Sequence, residues 1–328
     1  MSGEAGGTGG LRGTVADRCR RLVSDHGVWL TGLLSVAAFL GLAVYADVGD
    51  VTGALRALEW RTFAAVIGLT TVGYGFRFAK WHYYLRRLEI DVPADASAVA
   101  FFSGLMMVVT PGKAGEVWKA WFLRDARGAS ASEVTSVVGA ERITDLLALC
   151  AMAALGVLVY SRSSLPVAII LAVLAAGIGL LRWRRACIAI LERLESAPLV
   201  GDHAADLERF YESAYRLFHL RPLTVSTLLS LAAWGLEGLA FWLVLEGFGV
   251  EAGVVVALFV FGFGSVVGAV SMLPGGVAAT EASMVGVLVA LGYPEAVAAA
   301  ATMVIRVGTL WYAAALGTAV FLAYKATR

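Results

Sequence analysis

Apolar runs close to the length that crosses a bilayer are the strongest constraint on how this chain folds. A membrane-spanning helix needs about 20 consecutive apolar residues, because each helical residue rises about 1.5 Å through a hydrocarbon core of about 30 Å. The runs that approach or exceed this length are residues 28–46, 62–76, 143–160, 165–181, 223–245, 254–273 and 296–324. Only 16% of the residues are charged, against about 25% in soluble domains, which excludes a soluble enzyme. The sequence predicts an all-α fold, a polytopic membrane helix bundle.

Basic residues in the connecting segments orient these runs, because positively charged loops stay on the cytoplasmic side of a membrane. The basic residues that flank the first and the last run are Arg18, Arg20, Arg21, Lys325 and Arg328. Both termini are therefore expected in the cytoplasm of a multi-pass cell-membrane protein. The run 28–46 is longer than the apolar part of a signal peptide, which favours an uncleaved anchor. We expect residues 1–27 to form a partly disordered cytoplasmic tail and residues 28–328 a single transmembrane domain.

A shorter apolar run, residues 99–109, has basic residues on both sides. Those before it are Arg77, Lys80, Arg86 and Arg87, and those after it are Lys113, Lys119, Arg124 and Arg127. Both ends of the run are therefore expected at the cytoplasmic face. A helix over this run rises only about 16 Å, which is about half of the hydrocarbon core. Residues 99–122 are predicted to form a re-entrant hairpin that bends at Thr110, Pro111 and Gly112.

Residues 254–292 are predicted to form a second hairpin that enters from the opposite face. The run before it, residues 223–245, leaves the cytoplasm and the final run returns to it, so this segment has to begin and end outside. The bend is expected at Pro274-Gly275-Gly276. An alternative remains open, because residues 254–273 are long enough to cross the whole core, which would place Pro274 at the cytoplasmic face.

The two hairpins belong to an inverted repeat of about residues 62–160 and 223–325, joined by a cytoplasmic amphipathic connector at residues 186–221. A solvated connector is the alternative there. The first repeat carries Pro111, Glu116 and Arg142 in that order, and the second carries Pro274, Glu281 and Arg306. The separation from proline to arginine is 31 residues in the first repeat and 32 in the second, and that from glutamate to arginine is 26 and 25. Paired, interrupted apolar segments of this kind predict the binding site of a transporter.

Several charged residues fall in or beside the apolar runs: Glu116, Glu141, Arg142, Asp145, Glu281 and Arg306. A charge at the centre of a bilayer costs roughly 2.5 to 3.5 kcal/mol on insertion scales, so these groups cannot all face lipid. A shared, water-accessible cavity would satisfy them with mutual ion pairs and with backbone groups freed at the two breaks. Interhelical salt bridges without a ligand are the alternative, but the repeated order of proline, glutamate and arginine favours a functional site.

The predicted ligand is a phosphate-bearing lipid headgroup. The planar guanidinium of arginine binds phosphate through paired hydrogen bonds, and Lys113 adds a point charge beside the N–H groups of the helix that restarts after Gly112. Lys119 either joins this site or extends to the membrane interface, and Glu237 is a further buried candidate. Interfacial anchoring is expected of the tryptophans, namely Trp118, Trp121, Trp234, Trp242 and Trp311. No cofactor or metal is expected, and the formal net charge of +1 predicts no nucleic-acid partner.

Three ordered motifs carry a family resemblance: Thr110-Pro111-Gly112-Lys113-Ala114-Gly115-Glu116, Glu141-Arg142-Ile143-Thr144-Asp145, and Leu273-Pro274-Gly275-Gly276 with Thr280-Glu281-Ala282. They resemble the transmembrane domain of the lysylphosphatidylglycerol synthase/flippase family, over nearly the whole chain after the tail. Members are similar to the lipid-translocating part of bacterial multiple peptide resistance factors and to membrane domains attached to some polyprenyl-phosphate glycosyltransferases. The resemblance implies movement of a lipid headgroup between leaflets. Since no acyltransferase-like domain follows Arg328, aminoacyl transfer is not expected.

The leading hypothesis is a flippase-like transporter, not an enzyme, that moves an anionic or phosphate-bearing lipid between leaflets. The chain has no Gly-x-x-x-x-Gly-Lys loop for ATP, so movement is expected to be downhill or ion-coupled, with Glu116 or Glu281 as a proton carrier. One alternative is a membrane-embedded lipid-phosphate transferase or hydrolase, with Glu116 or Glu141 as general base. Another is a scaffold that docks a partner glycosyltransferase through residues 186–221. The lipid, the direction of movement and the oligomeric state are left open.

Overall fold

The structure is a computed structural model that describes residues 33, 36–110, 114–160 and 204–327, together with isolated positions between 172 and 188. These residues are almost entirely helical, and the predicted all-α membrane helix bundle is confirmed. The parts of the prediction that lie outside the described residues are the tail 1–27, Pro111, Gly112, Lys113, most of the run 165–181 and the connector residues 189–203.

The helices of the first half, in chain order, are α1 (Val36–Tyr45), α2 (Val48–Ala57), α3 (Trp60–Arg87), α4 (Ala94–Gly104), α5 (Trp118–Arg127) and α6 (Ala131–Tyr160). The first two meet at a bend of 106°, where the Asp47 side chain caps α2 by accepting a hydrogen bond from the backbone N–H of Gly49 at 2.8 Å. A 3₁₀ turn, Leu105–Val109, continues α4, and a second one, Ala114–Val117, precedes α5.

The helices of the second half are α7 (Ala204–Leu217), α8 (Leu220–Gly247), α9 (Val254–Val270), α10 (Ala279–Ala290), α11 (Glu295–Arg306) and α12 (Tyr312–Ala326). A π-helical segment, Val307–Trp311, joins α11 to α12 without a break in the helix. The amphipathic α7 occupies part of the predicted connector and packs against α6. Its residues Ala214 and Leu217 are buried in the core of the first half, so a solvated connector is wrong for residues 204–217.

Three of the described helical segments are long and apolar enough to cross a membrane: Ala131–Val159, Leu220–Gly247 and Glu295–Ala326. The helix α3 is as long as α8, at 28 residues, but its apolar sequence is interrupted by the charged residues Arg77 and Lys80. Both side chains are mostly buried, and Lys80 is only 1% exposed. The expectation that Arg77 and Lys80 lie in a cytoplasmic loop is wrong, because α3 continues as far as Arg87. The chain is a multi-pass membrane protein.

The first helices of the two repeats, α3 and α8, are antiparallel neighbours. Near their middles, Gly73 lies against the backbone of Ala233. Near their ends, Gly247 at the last residue of α8 lies against Thr62 at the start of α3. Because Gly73 has no side chain, the two backbones approach closely at this crossing.

The helix α6 runs parallel to α8. Asp145, in the middle of α6, accepts a hydrogen bond from Ser230 of α8 at 2.8 Å. Two turns further along both helices, Met152 lies against Gly238. The contacts advance in the same direction along both chains, so the two helices share one orientation.

In the same way, α3 packs against the π-helical segment Val307–Trp311, and the two run parallel. Gly308 lies against Val66, and further along, the Tyr312 hydroxyl lies 2.8 Å from Thr71 Oγ1. Since α3 and α8 oppose each other, α6 and the helix 295–326 oppose each other too. The second repeat is therefore inverted relative to the first within the protein, which matches the predicted inverted repeat. Which side of the membrane each repeat faces stays a prediction.

Both predicted hairpins are present, since α4 packs against α5 and α9 packs against α10. The tip of the second hairpin turns through residues with positive φ, at Met272, Gly275, Gly276 and Ala278. Glycine is required at Gly276, because a Cβ there would meet the backbone of Gly268 at 3.0 Å. The predicted bend at Pro274-Gly275-Gly276 is therefore where the chain reverses.

The depth of the second hairpin follows from its packing on α6. The helix α9 is antiparallel to α6, with Phe259 against Gly156 and Gly262 against Leu149. Continuing this register places the end of α9 level with the middle of α6, not with its end. Pro274, which follows α9 by four residues, therefore lies near the centre of the bundle, and the alternative position at the far face is wrong.

The two hairpin tips meet at this level. Val108 and Val109 from the first tip and Val277 from the second belong to one buried cluster, together with Tyr74 and Leu310. Two larger apolar clusters lie on either side of this level, one around Val66, Ala148 and Phe241 and the other around Trp81, Val137 and Leu217. The tips are thus held at the junction of the two halves, where they enclose a central cavity.

Candidate functional site

The central cavity has a volume of about 340 Å³ and lies between the two hairpin tips. Its walls come from α3, α6, α8, both hairpins and residues 306–313. The exposed edge of its lining includes three apolar side chains of the second hairpin, Val270, Met272 and Leu273, which are 71%, 64% and 40% exposed. The cavity falls within the size range of small-ligand sites, and its edge is apolar.

Charged side chains dominate the polar lining of this cavity. Among the described residues, the cations are Arg77, Lys80, Lys119, Arg142 and Arg306, and the carboxylates are Glu116, Glu141, Asp145 and Glu237. A further carboxylate, Glu281, is bonded to Arg306 from behind the lining. So many charged side chains are stable within a membrane protein only when each forms an ion pair or faces water. The ion pairs are therefore the main feature of the site.

A chain of alternating charges runs through the first half. Lys80 Nζ lies 2.6 Å from Asp145 Oδ1. The other carboxylate oxygen, Asp145 Oδ2, lies 3.2 Å from Arg142 Nη2, and that nitrogen also lies 3.2 Å from Glu116 Oε2. The hydroxyl of Ser230 donates a further hydrogen bond to Asp145 at 2.8 Å. The middle of α6 is thereby tied to α3, to α8 and to the first hairpin.

Lys119 completes this chain. Its ammonium lies 3.3 Å from Glu116 Oε2 and 2.8 Å from Glu141 Oε2. The same ammonium lies 4.6 Å from the centre of the Trp81 ring and 5.4 Å from that of Phe101, within the range of cation–π attraction. Lys119 is only 2% exposed, so the alternative that it extends to the membrane interface is wrong. One connected network of six charges is thus formed by Lys80, Asp145, Arg142, Glu116, Lys119 and Glu141.

Among the described residues, the ion pair that the second repeat contributes from its hairpin side is that of Arg306 with Glu281. Arg306 Nε donates to Glu281 Oε1 at 2.6 Å, and Arg306 Nη2 donates to the carbonyl oxygen of Gly275 at 2.7 Å. One guanidinium thus bonds both the hairpin tip and the first turn of α10. The π-helical segment follows directly, and there the Thr309 carbonyl accepts a hydrogen bond from the Tyr74 hydroxyl at 2.9 Å. Such π-helical turns are frequent at functional sites.

A third element of the site joins α3 to α8, and it pairs Glu237, which the sequence offered as a buried candidate, with Arg77, which it did not. Arg77 Nη2 lies 2.6 Å from Glu237 Oε1, and the Arg77 guanidinium lies 3.9 Å from the centre of the Trp234 ring. Trp234 is buried in the cavity wall, so the expectation that it anchors a helix at the interface is wrong. The spacing of Arg77 and Lys80, one turn apart within an apolar helix, was the available signal for an inward-facing pair.

The structure brings together most of the residues predicted for the site. Glu116, Glu141, Arg142, Asp145 and Arg306 line the cavity, and each glutamate of the repeated motif contacts its own arginine, Glu116 with Arg142 and Glu281 with Arg306. Their role in binding a ligand stays a prediction. Lys113 lies outside the described residues.

The predicted breaks have structural roles. Thr110 is buried, and its Oγ1 donates to the Met107 carbonyl at 2.7 Å while accepting from the backbone N–H of Gly115 at 2.9 Å. It therefore closes the first hairpin tip from both sides. In the second tip, Gly275 and Gly276 line the cavity, and Gly275 supplies the carbonyl that Arg306 binds.

Comparison with known proteins places this architecture among membrane proteins. The family model described as the lysylphosphatidylglycerol synthase TM region matches residues 29–317. A UPF0104 membrane protein of Methanothermobacter thermautotrophicus is 28% identical over 303 residues, which is 87% of this chain and 90% of the relative. A second UPF0104 membrane protein of the same organism is 22% identical over 312 residues, covering 88% of this chain and 92% of the relative.

Proposed function

This chain belongs to the lysylphosphatidylglycerol synthase TM region family, and on that premise we propose that it is a flippase-like transporter of anionic or phosphate-bearing lipids. The cargo is a phospholipid or a polyprenyl-phosphate-linked lipid, moved between the leaflets of the cell membrane. The observation that carries the proposal is the central cavity, where Arg142 of the first repeat and Arg306 of the second line one space between two hairpin tips.

The chemistry of the lining supports a phosphate ligand. The Arg142 side chain is 33% exposed while it remains paired with Glu116 and Asp145, and its Nε has no hydrogen-bond partner among the described residues. A planar guanidinium forms bidentate hydrogen bonds with phosphate oxygens and is less strongly hydrated than an ammonium. A headgroup in the cavity would therefore meet directed hydrogen-bond donors on both of its sides.

The apolar edge of the cavity supports a lipid as the source of that phosphate. Val270 is 71% exposed and Met272 is 64% exposed at the second hairpin tip. Exposed apolar side chains beside a polar cavity allow acyl or polyprenyl chains to stay in the hydrocarbon while the headgroup enters. A soluble phosphate compound would gain nothing from this surface.

The inverted repeat supports alternating access. In transporters of this type, the binding site lies at the interface of two inverted repeats, and one repeat moves against the other. Here the hairpin tips meet the opposite repeat at the cavity, so movement of either hairpin opens the site towards one face. By the positive-inside rule, the first hairpin enters from the cytoplasm, and both termini are cytoplasmic.

The proposal assigns no chemical step to the cavity. Glu116 and Glu141, the candidate general bases of a lipid-phosphate transferase, are both engaged in ion pairs with the Lys119 ammonium. A partner glycosyltransferase is not part of the proposal either, because the apolar residues Ala214 and Leu217 of α7 are already buried. The partners proposed are membrane lipids.

The experiment is a leaflet-exchange assay in proteoliposomes with fluorescent phosphatidylglycerol, whose outer-leaflet fraction is quenched by dithionite. We expect wild-type protein to expose the inner-leaflet probe, and Arg142→Ala and Arg306→Ala to abolish this exposure. Arg86→Ala is the control, because Arg86 lies exposed at the end of α3, and it is expected to match wild type. Circular dichroism confirms that each variant is folded. Wild-type exchange rates in both cavity variants would refute the site.

A further inference from the structure

The charges around the central cavity balance. Among the described residues, the cations are Arg77, Lys80, Lys119, Arg142 and Arg306, and the carboxylates that bind them are Glu116, Glu141, Asp145, Glu237 and Glu281. Five positive charges face five negative charges, and the formal sum is zero. Lys113 lies outside the described residues and is not counted in this balance.

A neutral network disfavours an anionic ligand that enters without a compensating positive charge. A headgroup phosphate with one negative charge would leave the buried site with a net charge of −1. An uncompensated charge in a site of low dielectric constant is strongly unfavourable. Entry of the phosphate is therefore favoured when a positive charge enters with it, and the smallest such change is a proton on one of the carboxylates.

The carboxylates differ in how firmly their charged form is held. Asp145 contacts Lys80, Arg142 and Ser230, and Glu116 contacts Arg142 and Lys119. Protonation of either would disturb several ion pairs of the connected network. These carboxylates are therefore poor sites for an added proton.

Glu281 is different. It is 1% exposed, and the ion pair that the described residues offer it is the one with Arg306, through Oε1. Its second oxygen, Oε2, is buried and has no hydrogen-bond partner among the described residues. A buried carboxylate oxygen without a donor is costly in the charged form, and a proton on Oε2 removes that charge without breaking another ion pair.

The surroundings of Glu281 contain few competing groups. The helix α9, which packs against α10, has no titratable residue, and Glu281 is the titratable residue of α10 itself. The helix α11 contributes Arg306, which faces Glu281, and Glu295 at its first turn, about 16 Å away along the helix. Arg306 is thus the charged group that responds when Glu281 changes its charge.

We propose that Glu281 takes up one proton when a headgroup phosphate binds Arg306, so that the protein moves an anionic lipid together with a proton. The proton passes from water to Glu281 Oε2, Arg306 Nε transfers its hydrogen bond from Glu281 to a phosphate oxygen, and Arg306 Nη2 keeps its bond to the Gly275 carbonyl. When the phosphate leaves, Arg306 re-forms its ion pair and the proton returns to water. This inference rests on the proposed function and adds the co-transported ion.

Proton uptake on binding is the first test. Purified protein in weakly buffered detergent is titrated with dioctanoyl phosphatidylglycerol, and a pH indicator reports protons while calorimetry reports binding. We expect one proton per lipid bound by wild type and none by Glu281→Gln, which still binds. The lipid affinity of wild type is expected to fall about tenfold for each unit by which the pH rises, over the range in which binding takes up one proton. The affinity of Glu281→Gln is expected not to change with pH.

Two controls make this result specific. Glu295→Gln changes an exposed carboxylate at the start of the neighbouring helix, and it is expected to keep the wild-type proton uptake. Dioctanoyl phosphatidylcholine brings no net charge, and it is expected to cause no uptake. Lipid binding by wild type without a proton would overturn the inference even if Glu281→Gln failed to fold, as would full uptake by a folded Glu281→Gln.

A transport measurement separates this inference from the function on which it rests. In the leaflet-exchange assay, a pH gradient is expected to bias the distribution of phosphatidylglycerol in wild-type vesicles and to leave Glu281→Gln vesicles unbiased. Exchange by wild type that ignores the gradient would overturn proton coupling and leave lipid translocation standing. The absence of exchange under every gradient would overturn the proposed function itself.

Discussion

The two repeats present the same glutamate–arginine pair in different surroundings. In the first repeat, the Glu116–Arg142 pair is part of a six-charge network that also contains Lys80 and Lys119. In the second, the Glu281–Arg306 pair is bonded to the backbone of Gly275 and to no other charge among the described residues. The difference is consistent with the proposed division of labour, in which the first repeat is a firmly held scaffold and Glu281 of the second repeat changes its charge.

The two hairpins also differ in what holds their arms together. In the first hairpin, Gly104 makes room for the aliphatic stem of Lys119, so that a charged side chain fills the space between the arms. In the second, Gly264 and Gly268 lie directly against Met284 and Thr280 of the opposite arm. The first hairpin is therefore held by electrostatics and the second by close packing of the backbone.

The largest expected effect comes from removing a charge in the first repeat. Asp145→Asn keeps the shape of the side chain but leaves the buried Lys80 without its counterion, and we expect a loss of about 3 to 5 kcal/mol in the free energy of unfolding. Glu281→Gln is the matched change in the second repeat. It is expected to lose less, because Arg306 keeps its bond to Gly275. The measurement is reversible unfolding by SDS in mixed micelles, and equal losses in the two variants would contradict the division of labour.

A smaller effect is expected from exchanging the arginines for lysine. Arg306 donates from Nε and Nη2 in two directions, which a lysine ammonium at one point cannot reproduce. Arg142 reaches both of its carboxylates through Nη2 alone. We expect Arg306→Lys to slow leaflet exchange about tenfold to a hundredfold, the equivalent of one charge-assisted hydrogen bond, and Arg142→Lys to slow it less. A larger loss of rate in Arg142→Lys than in Arg306→Lys would show that the geometry of the guanidinium matters more at Arg142.

The smallest expected effect concerns the equivalent glycines behind the hairpins. An alanine Cβ at Gly317 would lie 2.2 Å from the backbone nitrogen of Met106, and at Gly156 it would lie 2.1 Å from Cγ and 2.3 Å from Cβ of Phe259. Neither the backbone nitrogen nor a Cβ atom moves when a side chain rotates, so Gly317→Ala and Gly156→Ala are each expected to cost about 1 to 3 kcal/mol. Thermal unfolding measures both. Gly235→Ala, which meets no neighbouring atom within 4 Å, is the neutral control, and a loss there as large as that at Gly317 would refute the packing argument.

Local sequence signals were sufficient for much of this architecture. Proline and glycine within apolar runs located the tip at Pro274-Gly275-Gly276, because few other residues interrupt a membrane helix. Charges in apolar segments identified Glu116, Arg142 and their counterparts, since such charges require partners. The nearly equal spacing in the two halves predicted one shared site, and the structure shows that each glutamate contacts its own arginine.

The remaining site residues depend on contacts between distant helices. Arg77 and Lys80 follow an apolar run, so the charge rule assigned them to a loop, although α3 continues through them and their partners are Glu237 and Asp145. The burial of Lys119 depends on Trp81 and Glu141, which lie on other helices. The packing of α3, α5, α6 and α8 against one another decides these contacts, and no pattern within a single segment encodes it.

The most direct test of the account is to identify the lipids that the cavity retains. Wild-type protein and the Arg142→Ala/Arg306→Ala double variant are extracted in native nanodiscs, delipidated to the tightly bound fraction and compared by mass spectrometry against the bulk membrane. We expect anionic, phosphate-bearing lipids to be enriched in the wild-type fraction and this enrichment to be lost in the double variant. The same lipid profile in both proteins would contradict the claim that two inverted repeats bind one headgroup between their arginines.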